Sequence, residues 1–438
     1  MRKIKEFAKK ITPIFIMDFY HFLWAFLSAV FYRFPSNKIK VIGITGTKGK
    51  SSAVFMAGKI LENAGHKVAW SSSLGFKIGQ KEKINPYHIT MPGRGIIQKM
   101  IRKAVNEKCD YFLLETTSEG IKQNRHKFIN FDTAVFTNLR PEHIEAHGGF
   151  ENYKKTKKLL FTSPKKEKTI IVNLDDENAD FYLDAPAKRK IGFSLNPSKI
   201  DSSAEKIIKP SQEAKFYKDK TEFIFNETKI TLNLPGKFNL SNALSAIAIA
   251  DSCGVSKEII KSGLGKINKI EGRMEKIDAG QKFKIFVDLA HTPDSFLAVF
   301  ETVKFMRDGG TKIISVFGSA GGGRDKWKRP KLGKIASDYS DAVILTNEDS
   351  SYGENPEEII NQIADGINNK KAEVFKITNR REAIKKGLEL AQNNDTVLFL
   401  GKGTETTYSI AGKIYPWDER AVVKEELLKI INLNNLKD

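Results

Sequence analysis

The residues best suited to chemistry begin in a glycine-rich segment near the N-terminus. Residues 42–52 read IGITGTKGKSS, an apolar run that enters a turn ending in Gly49, Lys50 and Ser51. Glycines let backbone N–H groups close around phosphate oxygens, and a helix that starts at the turn adds partial positive charge. Lys50 would reach the β- and γ-phosphates, and the Ser51 hydroxyl would hold Mg²⁺. The segment therefore predicts a nucleoside triphosphate site, although the general pattern expects glycine at Ile44 and an ordinary turn is the alternative.

Polar side chains also follow the next predicted strands. Glu115 ends a strand that begins at Tyr111, and a carboxylate there can hold a metal ion against a triphosphate. His143 follows a strand that begins at Thr133 and is a candidate second metal ligand. A lone histidine is more often structural or solvated, and imidazole is an unusual ligand for Mg²⁺. The position of His143 just after a strand favours the functional interpretation.

Three clusters in the second half of the chain have the same placement. Residues 288–294 end a strand and start a helix, residues 318–330 form a glycine-rich turn with several cations, and residues 401–405 end the last strand. Each is a weak motif, because glycine-rich loops often only turn the chain. Together they place anion-binding and acidic groups along one edge of each sheet, as a cleft between two domains requires.

The elements that must position these groups alternate between strand and helix. The predicted strands are 40–45, 67–72, 111–115, 133–138, 283–288, 312–317, 342–346, 373–377 and 396–400, with a hairpin over 217–232. The predicted helices are 52–64, 95–107 and 239–253, with others starting at Pro293, Arg329, Pro356 and Arg381. Such alternation is typical of mostly parallel sheets covered by helices. The predicted fold class is α/β, and the predicted units are an N-terminal segment 1–38, a nucleotide-binding domain 39–270 and a Rossmann-like domain 271–438.

Composition narrows the class of protein. The chain has 438 residues and a formal net charge of +20, which favours anionic partners. Much of the lysine is scattered through surface-like helices and no basic and aromatic platform occurs, so nucleic-acid binding is not expected. Cys109 and Cys253 have no CxxC spacing, which argues against a disulfide framework or a thiolate metal site and fits a reducing cytoplasm.

The N-terminal segment is apolar from Ile11 to Phe34, after a basic start. Pro13, Asp18 and His21 interrupt it, and the uninterrupted part, 22–31, is too short to span a bilayer. No small-residue cleavage site follows, so a cleaved signal is not expected. Two interpretations stay open: a helix on the inner leaflet of the membrane, or a helix packed on the enzyme body or on a dimer partner.

An ordered series of motifs resembles the Mur ligases, and among them the tripeptide synthetases. The resemblance covers residues 40 to about 425. It rests on residues 46–52 (GTKGKSS), 116–118 (TTS), 138–148 (NLRPEHIEAHG), 153–161, 234–242 (LPGKFNLSN), 272–275 (GRME), 288–293 (DLAHTP) and 401–405 (GKGTE). It implies an ATP-dependent amide ligase of peptidoglycan precursor synthesis, in which a substrate carboxylate takes the γ-phosphate and an amine opens the acyl phosphate. The partners implied are a UDP-muramoyl-peptide and an amino acid, and the location implied is cytoplasmic.

The resemblance also implies roles for individual residues. ATP would be bound by Gly46, Thr47, Lys48, Gly49, Lys50, Ser51, Ser52, Asn239, Asn242, Arg273, Asp288 and His291. Two Mg²⁺ ions would be held by Ser51, Glu115, His143 and Lys157, the last as a carbamate formed with CO₂, although Lys157 could be one more exposed lysine. The residues implied in catalysis are Lys50, His143, Lys157, Arg273 and His291. The UDP-muramoyl substrate would contact Thr90, Thr117, Gln123 and Arg125, and the amino acid would contact Arg324, Gly401 and Glu405.

The sequence departs from the family pattern in three places. The first 39 residues do not resemble the family's uridine-binding domain, and residues 346–352 (TNEDSSY) replace the element that selects diaminopimelate. Thr404 and Glu119 stand where the family has histidines. The added amino acid is therefore not predicted. The alternatives are a ligase acting on another acceptor, such as a lipid-linked muropeptide, a poly-γ-glutamate chain or a folate, and a non-catalytic nucleotide-binding scaffold.

Overall fold

A computed structural model describes residues 13–435, except for 86–88, 94, 143, 163–166, 202, 322–324, 350–353, 370 and 411–412. Its helices are α1 (Ile14–Phe31), α2 (Lys50–Asn63), α3 (Ile96–Asn106), α4 (Ser118–Lys122), α5 (Ile144–His147), α6 (Phe150–Lys158), α7 (Ala179–Leu183), α8 (Lys237–Ser252), α9 (Lys257–Gly265), α10 (Pro293–Met306), α11 (Lys328–Tyr339), α12 (Pro356–Ala364), α13 (Arg380–Leu390) and α14 (Glu419–Asn435). A short 3₁₀ helix, Pro35–Asn37, follows α1.

Twenty strands are found in the described ranges. They are β1 (Lys40–Thr45), β2 (Val68–Ser71), β3 (Phe76–Ile78), β4 (Lys81–Lys83), β5 (Tyr111–Glu115), β6 (Phe131–Phe136), β7 (Thr169–Asn173), β8 (Arg189–Phe193), β9 (Lys206–Ile208), β10 (Lys215–Phe216), β11 (Thr221–Phe225), β12 (Thr228–Leu232), β13 (Glu275–Lys276), β14 (Lys284–Asp288), β15 (Ile313–Phe317), β16 (Ala342–Leu345), β17 (Glu373–Lys376), β18 (Thr396–Leu400), β19 (Thr407–Ile410) and β20 (Lys413–Pro416).

The first half of the chain is organised around a nine-stranded sheet. Its strand order is β4-β3-β2-β5-β1-β6-β7-β8-β9. The pairings β2–β3 and β3–β4 are antiparallel, and the other pairings in this sheet are parallel. Strand β1 lies at the centre, with Ile44 paired to Glu115 of β5 and to Val135 of β6. Parallel pairing places the carboxyl ends of all three strands at one edge. The glycine-rich turn, Glu115 and the segment after β6 therefore lie side by side.

Both faces of this sheet are buried, which explains why β1 is apolar in nearly every position. Ile42 and Ile44 face one core with helices α2 and α8, while Val41 faces another with α3. Helix α8 is rich in alanine, and its small side chains let it pack closely on α2. The helix that begins in the glycine-rich turn is thus fixed by the sheet on one side and by α8 on the other.

A six-stranded sheet organises the second half of the chain. Its order is β13-β14-β18-β15-β16-β17, and only the edge strand β13 is antiparallel. Asp288 at the end of β14 pairs with Leu400 at the end of β18. The loops after these strands carry the predicted clusters 288–294 and 401–405, and they lie next to each other. Two antiparallel sheets, β10–β12 and β19–β20, complete the described fold.

The α/β fold class predicted from the sequence is confirmed. Some element bounds differ from the prediction, because local contacts decide where an element ends. Helix α2 begins at Lys50, two residues early, since Gly49 has a left-handed conformation that turns the chain into the helix. Strand β6 ends at Phe136, and Asn138 lies in the following loop, where its carbonyl accepts a hydrogen bond from Thr47 N at 2.8 Å. The edge hairpin β3–β4 was not predicted, because each of its strands has only three residues and β4 is entirely charged.

Candidate active site

A cleft with a volume of about 740 Å³ opens where the two large sheets face each other. The first half of the chain contributes the glycine-rich turn, and the second half contributes Arg273 just before β13 and the loops after β14, β16 and β18. The predicted residues that line the cleft are Gly46, Thr47, Lys48, Gly49, Lys50, Ser51, Ser52, Thr90, Glu115, Thr117, Lys157, Asn242, Arg273, Asp288, His291 and Glu405. Groups separated by more than 200 residues thus share one site.

The glycine-rich turn uses two of its glycines because no side chain fits there. Gly49 has φ +82°, and a Cβ on it would lie 2.3 Å from Asn242 Oδ1 of helix α8. A Cβ on Gly46 would lie 2.0 Å from Thr137 Oγ1. Lys50 Nζ donates to Thr47 O at 2.8 Å and lies 4.0 Å from Glu115 Oε1. The turn is therefore a tight backbone cradle with a cation above it, suited to a triphosphate.

Ser51 and Glu115 form an oxygen-rich corner at the N-terminus of helix α2. Ser51 Oγ donates to Glu115 Oε2 at 2.9 Å, and Ser73 N donates to the same oxygen at 2.8 Å. The Ser51 and Ser73 hydroxyls lie 2.7 Å apart. A hydroxyl beside a buried carboxylate is the donor set that Mg²⁺ prefers when it also binds substrate phosphates. These residues fit a magnesium ion.

A second set of contacts ties the turn to the loop after β6. Lys48 N donates to Asn138 Oδ1 at 2.8 Å, and Arg140 N donates to Thr47 Oγ1 at 2.9 Å. The Thr47 hydroxyl also lies 3.0 Å from the hydroxyl of Tyr153, a buried residue of helix α6. The backbone of the turn is therefore fixed from the side opposite to helix α2.

Lys157 is buried one turn further along helix α6. Its side chain is 2% exposed, and Nζ donates to Gly46 O at 2.7 Å. Nζ also lies 4.6 Å from the ring centre of Tyr153. Burial, aided by the nearby Lys50, holds the pKa of Lys157 well below its usual value. The structure thus places a buried amine, not an exposed lysine, beside the phosphate turn, and the lowered pKa favours the neutral form that adds to CO₂.

Two side chains from the second half of the chain reach the first. Arg273 Nη2 donates to Ser73 Oγ at 3.2 Å and to Ser51 Oγ at 3.5 Å. His291 Nε2 lies 3.1 Å from Glu142 Oε1, and Lys48 Nζ lies 3.1 Å from the same oxygen. Burial lowers the pKa of His291 to about 4. Both ring nitrogens face oxygen acceptors, since Nδ1 lies 2.7 Å from Leu289 O.

Asp288 shapes the loop that carries His291. Its carboxylate accepts hydrogen bonds from Met274 N and Ala290 N, both at 2.6 Å. Burial raises the pKa of Asp288, while Arg273 opposes that rise. The Asp288 carboxylate therefore holds the two loops that carry Arg273 and His291. It thereby positions both side chains towards the first half of the chain.

Other predicted residues lie outside the cleft lining or have local partners. Asn239 Nδ2 donates to Pro235 O at 2.8 Å within helix α8, and Arg125 Nη2 donates to Gln123 Oε1 at 2.5 Å. Gly401 has φ +104°, and a Cβ there would lie 2.4 Å from Glu348 Oε2. His143 and Arg324 lie outside the described residues.

A charged cluster lies beyond Gly401, at the end of strand β18. Lys402 is fully buried, and its Nζ lies 2.6 Å from Glu405 Oε2 and 3.3 Å from Asp349 Oδ2. Burial raises the pKa of the neighbouring Glu348 to about 7, against the opposing effect of Lys328. This end of the cleft therefore carries acidic groups with one shared cation.

Sequence reasoning assigned no role to Ser73, Glu142 or Tyr153. Ser73 follows strand β2 in a run of three serines, and a polar run at a strand end was the available signal. Glu142 and Tyr153 stood inside quoted motifs, but only their contacts with His291 and Thr47 reveal what they do. Contacts between distant segments have no local sequence pattern.

The fold and the site together define a nucleotide-binding α/β enzyme with one cleft between two sheets. Two family models match the chain: the Mur ligase middle domain over residues 44–250, and the glutamate ligase domain of Mur ligases over residues 272–403. The chain belongs to the Mur ligase family. It is an ATP-dependent ligase, and the resemblance seen in the sequence is confirmed.

Curated relatives agree with the family models. The chain is 36% identical over 401 residues to the UDP-N-acetylmuramoyl-L-alanyl-D-glutamate–2,6-diaminopimelate ligase of Caldanaerobacter subterraneus, covering 92% of this chain and 80% of that protein. It is also 36% identical over 440 residues to the UDP-N-acetylmuramyl-tripeptide synthetase of Borreliella burgdorferi, covering 98% and 84%. The name of the first relative gives diaminopimelate as the added amino acid, and the name of the second gives no amino acid. The two names therefore do not assign the amino acid added here.

Solved structures share the fold. A UDP-N-acetylmuramoyl-L-alanyl-D-glutamate–2,6-diaminopimelate ligase matches with a TM-score of 0.59 at 26% identity, covering 90% of this chain and 79% of that chain. The Mycobacterium tuberculosis folylpolyglutamate synthase complexed with ADP matches with a TM-score of 0.69 at 15% identity, covering 87% and 91%. At the lower identity the likeness shows the fold alone.

Proposed function

We propose that the protein adds an amino acid to a UDP-N-acetylmuramoyl-peptide at the expense of ATP, in peptidoglycan precursor synthesis. The single observation that supports this most is the convergence of Lys50, Ser51 and Glu115 with Arg273 and His291 in one cleft. The names of the relatives at about 36% identity supply the substrate class. The domains we propose are 39–270 and 271–438, after an N-terminal segment 1–38.

The chemistry asks for charge neutralisation and for the exclusion of water. The substrate carboxylate attacks the γ-phosphorus, ADP leaves, and the amine then attacks the acyl carbon while phosphate leaves. Lys50 and the backbone N–H groups of the turn bind the phosphates that carry the developing charge. Arg273 and His291 close the cleft from the second half, which keeps water from the activated acyl group.

Magnesium, when bound, would neutralise phosphate charge, and Ser51 and Glu115 are the described residues that fit it. Lys157 fits a carbamate because its amine is buried and close to Lys50, and its pKa is lowered. A carbamate would convert this amine into an anionic oxygen ligand for a second metal. His143, which the family resemblance implies as a ligand of that second metal, lies outside the described residues.

The acceptor would enter beside Thr90 and Thr117, and the amino acid beside Glu405, which all line the cleft. Glu405 can accept a hydrogen bond from an ammonium group. The location we propose is the cytoplasm, where ATP is available, and peripheral contact with the inner membrane surface is part of the proposal.

The test measures phosphate release from ATP with UDP-N-acetylmuramoyl-dipeptide and each candidate amino acid, with the product identified by mass spectrometry. We expect one amino acid to stimulate release and to appear in an amide. Lys50→Ala should lower kcat by at least about 100-fold. Lys59→Ala is the matched control, since Lys59 lies on the same helix and pairs with Glu62 at 3.5 Å.

Two outcomes would contradict the proposal. Phosphate release with no amino acid dependence, but stimulated by a folate or a poly-γ-glutamate chain, would assign another acceptor. Unchanged turnover in Lys50→Ala would remove the phosphate turn from the mechanism, because a retained turn without its cation cannot stabilise the charge on the transferred phosphoryl group.

A further inference from the structure

Helix α1 leaves large apolar side chains in contact with solvent. Phe15, Phe19 and Phe31 are 71%, 64% and 77% exposed. The other exposed apolar residues of the helix are Ile16, Tyr20, Phe22, Leu23, Trp24, Phe26, Leu27 and Val30. Soluble proteins rarely expose so many neighbouring apolar side chains unless the surface binds something. We call this set of eleven residues the α1 surface.

The contacts given for the described residues hold the helix to the enzyme along one side. Phe22 and Phe26 pack edge-to-face on Phe128, with ring centres 5.2 and 5.3 Å apart. Arg102 Nη2 donates to Tyr32 O at 2.7 Å, just after the C-terminal end of the helix. Among the side chains described in α1, only Ser28 and Ala29 are buried. The helix therefore presents its side, not its end, to whatever covers it.

The composition of the α1 surface suits a lipid headgroup region. It combines six aromatic side chains besides Trp24 with aliphatic side chains, and aromatic residues concentrate where a bilayer meets water. Asp18 is the only acidic residue of the helix. No helix among the described residues is both long and apolar enough to span a bilayer.

Exposed cations lie on the segments next to helix α1. The exposed ones on neighbouring segments are Arg33, Lys38, Lys99, Lys103 and Lys127. The first ten residues of the sequence add five Lys and Arg against one Glu. Anionic headgroups attract such cations, whereas a second copy of this chain, with a net charge of +20, would bring like charges together.

We propose that the α1 surface binds the surface of an anionic lipid bilayer, with its apolar side chains in the headgroup region and the neighbouring cations on the headgroups. Helices of this kind bind through buried apolar area together with charge attraction. The occupant is thus a lipid surface, and it requires no specific protein partner.

Binding of α1 to a bilayer would also affect the acceptor side of the cleft; this step rests on the function proposed above. The loop that supports α1 carries Asn124, whose Nδ2 donates to Asp18 O at 3.3 Å, and Arg125, whose guanidinium donates to Met91 O. Met91 is next to Thr90, which lines the cleft on the acceptor side. A bilayer that fixes α1 fixes this loop, and the expected result is a lower KM for the acceptor with no change in KM for ATP.

The test floats the full-length protein with vesicles of phosphatidylcholine alone or mixed with phosphatidylglycerol. We expect flotation with the anionic vesicles and less at high salt. The variant F15S/F19S/F31S should lower the bound fraction by about ten-fold. The matched control I200S/F305S/I414S removes apolar side chains that are 85%, 55% and 62% exposed elsewhere, and it should float like the wild type. Thermal unfolding checks that both variants are folded.

Three outcomes would overturn the inference. They are no flotation with anionic vesicles, equal flotation of the two triple variants, and a dimer that F15S/F19S/F31S dissociates without any vesicle binding. Flotation is independent of turnover, so its failure leaves the ligase proposal standing. Conversely, absent ligase activity with normal flotation would overturn the proposed function and keep the docking surface.

Discussion

His291 Nε2 lies 3.1 Å from Glu142 Oε1, so a side chain from the second half of the chain hydrogen-bonds to the rim of the phosphate turn. The same oxygen accepts from Lys48 Nζ at 3.1 Å. Glu142 thus links a residue of the turn to a residue of the loop held by Asp288. A nucleotide whose phosphates attract Lys48 would take that cation away from Glu142 and so change the net charge next to His291. Nucleotide binding and closure of the cleft would thereby be coupled.

The first prediction tests this link. We expect His291→Ala and Glu142→Gln each to lower kcat about ten-fold or more, because a hydrogen bond to a charged group is lost. In a double-mutant cycle the two changes should be coupled by about 1 kcal/mol or more. His66→Ala is the control, since its Nδ1 lies 3.7 Å from Asp110 at the far end of the strands. Strictly additive effects would argue against a direct interaction in the closed state.

The second prediction concerns the tight approach of Gly49 to Asn242. Gly49→Ala should raise the KM for ATP at least about ten-fold, because the turn must shift when a Cβ meets Asn242 and the N–H groups lose their positions. Gly65→Ala is a matched control: φ at Gly65 is +86° and nothing lies within 4 Å of an added Cβ. Both variants should lose stability of about 1–2 kcal/mol through left-handed strain.

Denaturant unfolding and steady-state kinetics on the two variants separate the effect of backbone strain, which both share, from the effect of the contact with Asn242, which only Gly49→Ala makes. If Gly65→Ala weakened ATP binding as much as Gly49→Ala, the effect would be general destabilisation. A selective loss in Gly49→Ala would locate it in the contact with helix α8.

The third prediction concerns the buried amine of Lys157. Protein kept in ¹³C-bicarbonate should give a carbamate signal by NMR, because burial lowers the pKa of the amine and so favours its neutral form. Lys157→Gln should lose both the signal and most of the turnover. Lys158→Gln is the neighbouring control, since Lys158 pairs with Asp184 at 3.3 Å on the surface. If the wild type gave no carbamate signal and Lys157→Gln kept its turnover, the mechanism would not involve a carbamate.

The fourth prediction concerns stability and pH. Burial lowers the pKa of His126 from 6.5 to about 4. In the unfolded chain His126 binds a proton below about pH 6.5, whereas in the folded protein it stays neutral down to about pH 4. Stability from this group is complete above pH 6.5 and is lost as the pH falls towards 4.

The measurement compares urea unfolding of the wild type and His126→Gln across this range. The free energy of unfolding of the wild type should fall more steeply, by up to about 1.4 kcal/mol per pH unit. Because both proteins share every other titrating group, their difference isolates His126. Parallel curves would show that His126 is hydrated or protonated in the folded state.

Local sequence predicted much of the fold because local physics decides it. Strands β1, β5 and β18 have the predicted bounds, since each is a short apolar run closed by a turn. Helix α10 begins at Pro293 as predicted, after a Thr292 cap. The β3–β4 hairpin was missed because its short strands are mostly polar or exposed, and such strands depend on a neighbouring strand for their register.

For the site, the sequence by itself determined the kinds of chemical group: a glycine-lysine-serine turn, a carboxylate at a strand end, and a family that links them to ATP-dependent ligation. Only the tertiary structure decided that Gly49 lies against Asn242, that Lys157 is buried with a lowered pKa, and that His291 contacts Glu142. The reason is physical. Residue type and period are set over a few neighbouring positions, whereas burial, pKa and contact across more than 100 residues depend on how the two sheets and their helices pack.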